Sequence, residues 1–204
     1  AGPDDEVLHS RHGFLMYPIS ALSVGATPVA APEANYTTDV DAMLSMVTDR
    51  TRMAFVANPN NPTGSYISSD ELRRLRAGLR DDIVLVIDSA YAEYVSRNDY
   101  AAGVEMVEAG DNVVMLRTFS KIFGLAALRL GWAYCSPDIA GVLNRVRGPF
   151  NVSGAALAAG VAAVGDQAHI DRARAHNDKW LAKFSAAMAG IGVTCVPSVG
   201  NFVL

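Results

Sequence analysis

The chain has 204 residues, 50% hydrophobic and 19% charged, with a net charge of −4, a composition that suits a globular protein with one sizeable core. Its Lys and Arg residues are scattered rather than striped, which argues against a nucleic-acid partner, and its apolar runs are too short to span a membrane. The opening AGPDDEVLHS is acidic and has no hydrophobic signal core, so the expected location is cytoplasmic.

The chain opens in a turn, Gly2-Pro3-Asp4-Asp5, that runs straight into a predicted strand, Glu6–His9. Further strands are predicted at Pro28–Ala31, Arg52–Ala57, Ile83–Ile87, Asn112–Leu116, Leu130–Cys135, Val193–Val196 and Asn201–Leu204. The run Ile-Val-Leu-Val-Ile at 83–87 has no polar alternation, which suits a strand covered on both faces. Helices are predicted at Asp39–Val47, after the cap Ser68 with Asp70 and Glu71 in its first turn, at Ile139–Arg145, and at Gln167–Ala189. The last places Ile170, Ala173, Trp180, Leu181 and Phe184 at helical spacing, with charges opposite. Strands alternating with helices predict a doubly wound α/β domain whose ligands sit beyond the carboxyl ends of the strands. Gly148-Pro149-Phe150-Asn151 is the clearest break, and the expected division is 1–165 and 166–204. Both ends are abrupt, so an internal piece of a longer protein is expected. Cys135 and Cys195 lie in apolar runs and read as buried free thiols.

Three segments carry chemistry, and each follows an apolar strand. Asn58-Pro59-Asn60-Asn61-Pro62-Thr63-Gly64 serves as a strand-to-helix loop, yet two Asn-Pro pairs exceed what a turn needs. They stiffen the backbone and could aim an Asn amide at a ligand. Asp88-Ser89-Ala90-Tyr91 follows the 83–87 run. Its acid reads as a helix cap or as a carboxylate placed to meet a buried cation. Arg117-Thr118-Phe119-Ser120-Lys121 is followed by Arg129. A solvated lysine is the plain reading, but Phe119, Ile122, Phe123 and Leu125 surround Lys121 with apolar groups that favour an amine nucleophile. Thr118, Ser120 and Arg129 are donors suited to a phosphate.

In this order the three segments resemble the fold-type I family of pyridoxal 5′-phosphate (PLP) enzymes, over nearly the whole chain. Within that family the chain is most similar to the histidinol-phosphate aminotransferases. This rests on His12-Gly13-Phe14-Leu15-Met16-Tyr17, Gly25-Ala26-Thr27-Pro28-Val29, Leu128-Arg129-Leu130-Gly131-Trp132 and Arg147-Gly148-Pro149-Phe150-Asn151-Val152. The resemblance implies an α/β large domain, with a mixed, mostly parallel sheet between helices, and the beginning of a small α+β domain. It implies that Lys121 holds PLP as a Schiff base and moves the substrate proton. It places Asp88 on the pyridine nitrogen, Asn61 and Tyr91 on the phenolic oxygen, and Phe14 on the ring face. Thr118, Ser120 and Arg129 would hold the phosphate, and Asn61–Pro62 would be a cis peptide. The implied reaction transfers an amino group from L-histidinol phosphate to 2-oxoglutarate, giving imidazole acetol phosphate and glutamate.

The implied partners are an amino donor and a keto acid, with a homodimer for the full-length protein. The family's Gly/Ser-rich phosphate loop, its tyrosine that reaches the neighbouring subunit and its small-domain substrate Arg have no counterpart in these residues. Other readings are an aminotransferase for a different amino acid, a decarboxylase or lyase of the same fold, and an inactive fragment acting as a binding or oligomerisation module. The four histidines are not spaced as a metal site. His169 and His176 read as surface residues, and His12 as a possible neighbour of the cofactor residues. Arg73, Arg74, Arg76 and Arg80 read as a solvated helix face. No G-x-G-x-x-G, P-loop or G-x-S-x-G motif occurs, which counts against nucleotide-binding and serine-hydrolase readings.

Overall fold

The apolar run at 83–87 lies in the middle of a six-stranded sheet. The computed structural model describes residues 1–110 and 112–204. Its strands are β1 (Glu6–Ser10), β2 (Thr27–Ala31), β3 (Glu33–Ala34), β4 (Thr37–Thr38), β5 (Thr51–Ala57), β6 (Val84–Asp88), β7 (Val113–Thr118) and β8 (Gly131–Cys135). The main sheet has the order β2-β1-β5-β6-β7-β8, and β3 with β4 forms a separate hairpin. Every neighbour in the main sheet is parallel except β8, which runs antiparallel to β7. The predicted mixed, mostly parallel α/β sheet is therefore observed.

Side chains alternate along each strand, so one strand feeds two cores. Leu8, Ala54, Val56, Leu85, Ile87 and Val113 share one face. Helices α2 (Val40–Ser45), α3 (Ser69–Gly78) and α4 (Val104–Ala109) cover it, adding Val40, Met43, Leu72, Leu75 and Met106. Val7, Met53 and Phe55 face the other way, against Ala21 of helix α1 (Met16–Ser23). Each fully buried side chain of this kind stabilises the fold by about 1.5–3 kcal/mol. Helix α3 starts where its sequence says, with the Ser68 hydroxyl accepting from the Glu71 amide.

Two predicted strands do not form. Val193–Val196 and Asn201–Leu204 lie outside any strand, and one backbone bond joins them, from Val196 N–H to the Leu204 carbonyl (2.7 Å). The segment between them turns instead onto the Asn58–Gly64 loop, where the Val199 N–H donates to the Gly64 carbonyl at 2.9 Å. Two helices carried no readable period. Helix α1 has Pro18 in its first turn. After α5 (Pro137–Val146), helix α6 (Gly154–Gly165) is nearly all Ala, Gly and Val, so no polar face marks it. It packs closely through Gly160, where an added Cβ would lie 2.4 Å from a Leu130 methyl.

Helix α7 (Gln167–Gly190) matches its prediction in length, but its apolar stripe is only partly used. Ile170 is buried, whereas Trp180 and Phe184 are about half exposed. Its first turns are fastened to the sheet side by polar bonds, from His169 Nε2 to the Ile122 carbonyl (2.9 Å) and from Arg174 Nε to the Glu93 carbonyl (2.7 Å). His169 is thus a tether rather than a free surface residue. Arg76 also departs from the solvated-face reading, since its guanidinium donates to the carbonyls of Leu79, Arg80 and Ile83. Both cysteines are free, as expected, but only partly buried.

Candidate active site

Parallel strands present all their carboxyl ends along one edge of the sheet, and ligands bind there in open α/β folds. Strands β1, β5, β6 and β7 deliver the Phe14 turn, the Asn58–Gly64 loop, Asp88 and the Lys121 turn to that edge. Five of the predicted residues, Phe14, Asn61, Asp88, Tyr91 and Lys121, line one cavity of about 60 Å³ there. A larger hollow of about 440 Å³ near Arg73, Asp81 and Asn112 lies at the opposite, amino ends of β6 and β7, away from this chemistry.

Asp88 is the last residue of β6. Its Oδ2 accepts from the Tyr17 hydroxyl at 2.8 Å and its Oδ1 from the Ala90 N–H at 3.2 Å. Burial pushes the carboxyl above its ordinary value; the two hydrogen bonds and the nearby Lys121 charge oppose that shift without cancelling it. Tyr17 was not anticipated as a site residue. Its ring is buried and stacked on Phe55, with centroids 4.7 Å apart. Burial, together with the Asp88 charge, pushes its phenol far above the usual range, so it remains a donor. The only sequence signal was its spacing of three residues from Phe14, and nothing local tied it to an acid 71 positions away.

Lys121 Nζ lies 5.0 Å from the centre of the Tyr91 ring. The Asn61 amide donates to the Tyr91 hydroxyl at 2.9 Å, so these two polar groups converge on one point of the cavity. The loop behind them is internally braced. The Asn58 side chain both donates to and accepts from the Ile67 backbone, and Asn60 donates to the His12 carbonyl and to Thr63 Oγ1. Asn61–Pro62 is cis, as the resemblance implied, and so is Asn58–Pro59. Phe14 is 40% exposed, with its ring edge-on to Tyr17.

Thr118, Ser120 and Arg129 do not line the cavity. Thr118 ends β7, and its Oγ1 accepts from the Ser120 N–H at 3.1 Å on the turn that carries Lys121. Arg129 is exposed, in a left-handed conformation (φ 52°), with Nη1 on the Ala126 carbonyl at 2.7 Å. The structure therefore gathers the amine, acid, amide and phenol, and leaves the three phosphate candidates beside that group. Among the described residues no three His, Cys, Asp or Glu side chains cluster as a metal site.

The family model for aminotransferase class I and II matches residues 1–204, and the chain belongs to that family. Its members are PLP-dependent, and its sheet is the fold-type I architecture. Over 204 residues the chain is 62% identical to histidinol-phosphate aminotransferase of Paramagnetospirillum magneticum and 61% identical to that of Rhodospirillum centenum, covering 56% of each. The solved histidinol-phosphate aminotransferase of Sinorhizobium meliloti, in complex with pyridoxal-5′-phosphate, superimposes with a TM-score of 0.94 at 27% identity, over all of this chain and 55% of that one. The chain thus spans about half the length of the relatives it matches.

Proposed function

We propose that the protein containing this chain is a PLP-dependent aminotransferase that acts on L-histidinol phosphate, with 2-oxoglutarate as acceptor, in histidine biosynthesis. The observation that carries this reading is the convergence of Lys121 and Asp88 on one cavity, from the turn after β7 and the end of the adjacent β6. The donor set fits the cofactor. A carboxylate disfavoured by its own burial gains most from a cationic ring nitrogen, and such a charge-assisted bond contributes roughly 1.5–3 kcal/mol. The high identity to histidinol-phosphate aminotransferases supports the choice of substrate.

When bound, PLP supplies an electron sink for the bond broken at the substrate's amine-bearing carbon. In this reading Asp88 keeps the ring nitrogen protonated, and Tyr17 keeps Asp88 oriented. Asn61 and Tyr91 hold the phenolic oxygen, and Phe14 covers the ring face. Lys121 Nζ would hold the cofactor through its aldehyde and would move the proton at the substrate's amine-bearing carbon. Thr118, Ser120 and Arg129 serve the phosphate from outside the enclosed cavity. Residues 1–165 form the cofactor-binding unit and 166–204 open a second one. The intact protein is a cytoplasmic homodimer. No helix among the described residues is long and apolar enough to cross a membrane.

Incubation of the intact protein with PLP should give a visible cofactor band that Lys121→Ala abolishes. Glutamate and imidazole acetol phosphate should then yield histidinol phosphate. A colourless protein in excess PLP would sink the cofactor reading. A coloured protein that ignores this ketone and turns over another amine would replace the substrate only.

A further inference from the structure

Outside the cavity, the most enclosed acid near the site is Glu33, on the first strand of the β3–β4 hairpin, with a side chain only 3% exposed. One short turn supplies all its partners. The Ser10 hydroxyl and the His12 N–H (3.0 Å) donate to Oε1, and His12 Nδ1 pairs with Oε2 at 2.7 Å. That turn leads directly into Phe14. It is closed by the Gly13 N–H on the Ser10 carbonyl at 2.9 Å, so tightly that a Cβ on Gly13 would lie 2.9 Å from the same oxygen. The tip of the hairpin reaches the Asn58–Gly64 loop through Ser65, whose Oγ donates to the Tyr36 carbonyl (2.7 Å) and contacts Thr63 Oγ1 (2.8 Å). Asn60 links the two loops directly through the His12 carbonyl (3.1 Å).

We infer that Glu33 is a positioning residue: its carboxylate locks the Ser10–Gly13 turn and thereby holds Phe14 over the cofactor ring. The inference rests on the reading that this cavity takes PLP. A merely structural tether would affect folding stability alone. A positioning residue also changes how the cofactor sits. Its removal leaves the Ser10 hydroxyl and the His12 amide without their acceptor and frees the turn to swing Phe14 away.

The test uses the intact protein with PLP as the probe, following PLP affinity, the circular dichroism of the bound cofactor band and the melting temperature of the apoprotein. Glu33→Ala should weaken PLP binding about tenfold, the equivalent of one lost charged hydrogen bond, and should reduce the cofactor dichroism. Glu33→Gln, which keeps an acceptor for both donors and an amide for the His12 ring, should restore both. In a Phe14→Ala background, Glu33→Ala should have no further effect on affinity. Wild-type affinity and dichroism in Glu33→Ala, or effects that add to those of Phe14→Ala, would overturn the inference. If Glu33→Ala does not fold, His12→Ala, which removes only the half-exposed ring, takes its place under the same criteria, with a loss of about threefold expected. Failure of wild-type protein to bind PLP would strike the cofactor reading itself, whereas binding with indifferent variants would strike only Glu33.

Discussion

At the scale of single residues, Asp88 and Tyr17 illustrate how a burial cost is held in reserve. Burial raises the Asp88 carboxyl, so the folded chain keeps a proton that the unfolded chain has already released between the ordinary carboxylate range and the raised value. Stability of the apoprotein therefore falls as pH rises across that window, and the loss persists above it. The Tyr17 hydroxyl limits that loss by donating to the charged form. Tyr17→Phe should move the Asp88 titration further up and lower apoprotein stability at neutral pH by about 1–2 kcal/mol, with little change in acid, where the carboxyl is protonated in both states. Carboxyl-carbon NMR of Asp88, with urea denaturation at two pH values, would measure both effects. An unmoved titration would remove Tyr17 from this role.

At the scale of elements, the Asn58–Gly64 loop owes its shape to contacts on both sides. Gly64 has φ 74°, and a Cβ there would lie 2.1 Å from Ser198 Oγ and 3.0 Å from Ser198 Cα. Gly64→Ala should cost about 2–4 kcal/mol from left-handed strain and overpacking together. Ser198→Gly in the same chain should recover part of that loss, since it removes the side-chain clash but not the strain. Thermal unfolding of the single and double variants would check this, and an unaffected Gly64→Ala would show that the 196–204 segment is not seated on the loop.

At the scale of the whole molecule, α7 couples sequence-distant parts of the site. Through His169 and Arg174 it grips the carbonyl next to Lys121 and the one two residues past Tyr91. The Lys121 turn is itself closed by the Gly124 N–H on the Lys121 carbonyl (2.9 Å) and the Leu125 N–H on the Phe119 carbonyl (2.9 Å). His169→Ala should release about 1 kcal/mol of restraint and speed hydrogen exchange at Gly124 and Leu125 about fivefold, with slower-exchanging β6 amides unchanged. Uniform acceleration across the sheet would instead mean global destabilisation.

The sequence by itself determined the strand positions of the main sheet, the capped start of α3, the length of α7 and the residue types that meet at the cavity. These are local properties: short apolar runs, an N-cap serine, and Asn, Asp and Lys placed just after strands. Tertiary structure decided the rest. It set β5, β6 and β7 side by side, which turned three separate motifs into one cavity, and it ran β8 antiparallel. It brought Tyr17 to Asp88 and Glu33 to Ser10 and His12, pairs joined by packing that no local pattern encodes. It also left the two apolar segments near residue 200 joined by one backbone bond, from Val196 to Leu204, while the stretch between them turns onto the Gly64 loop through Val199. Neighbours along the chain set an element's type, whereas its partners are chosen by surfaces that exist only once distant elements have packed.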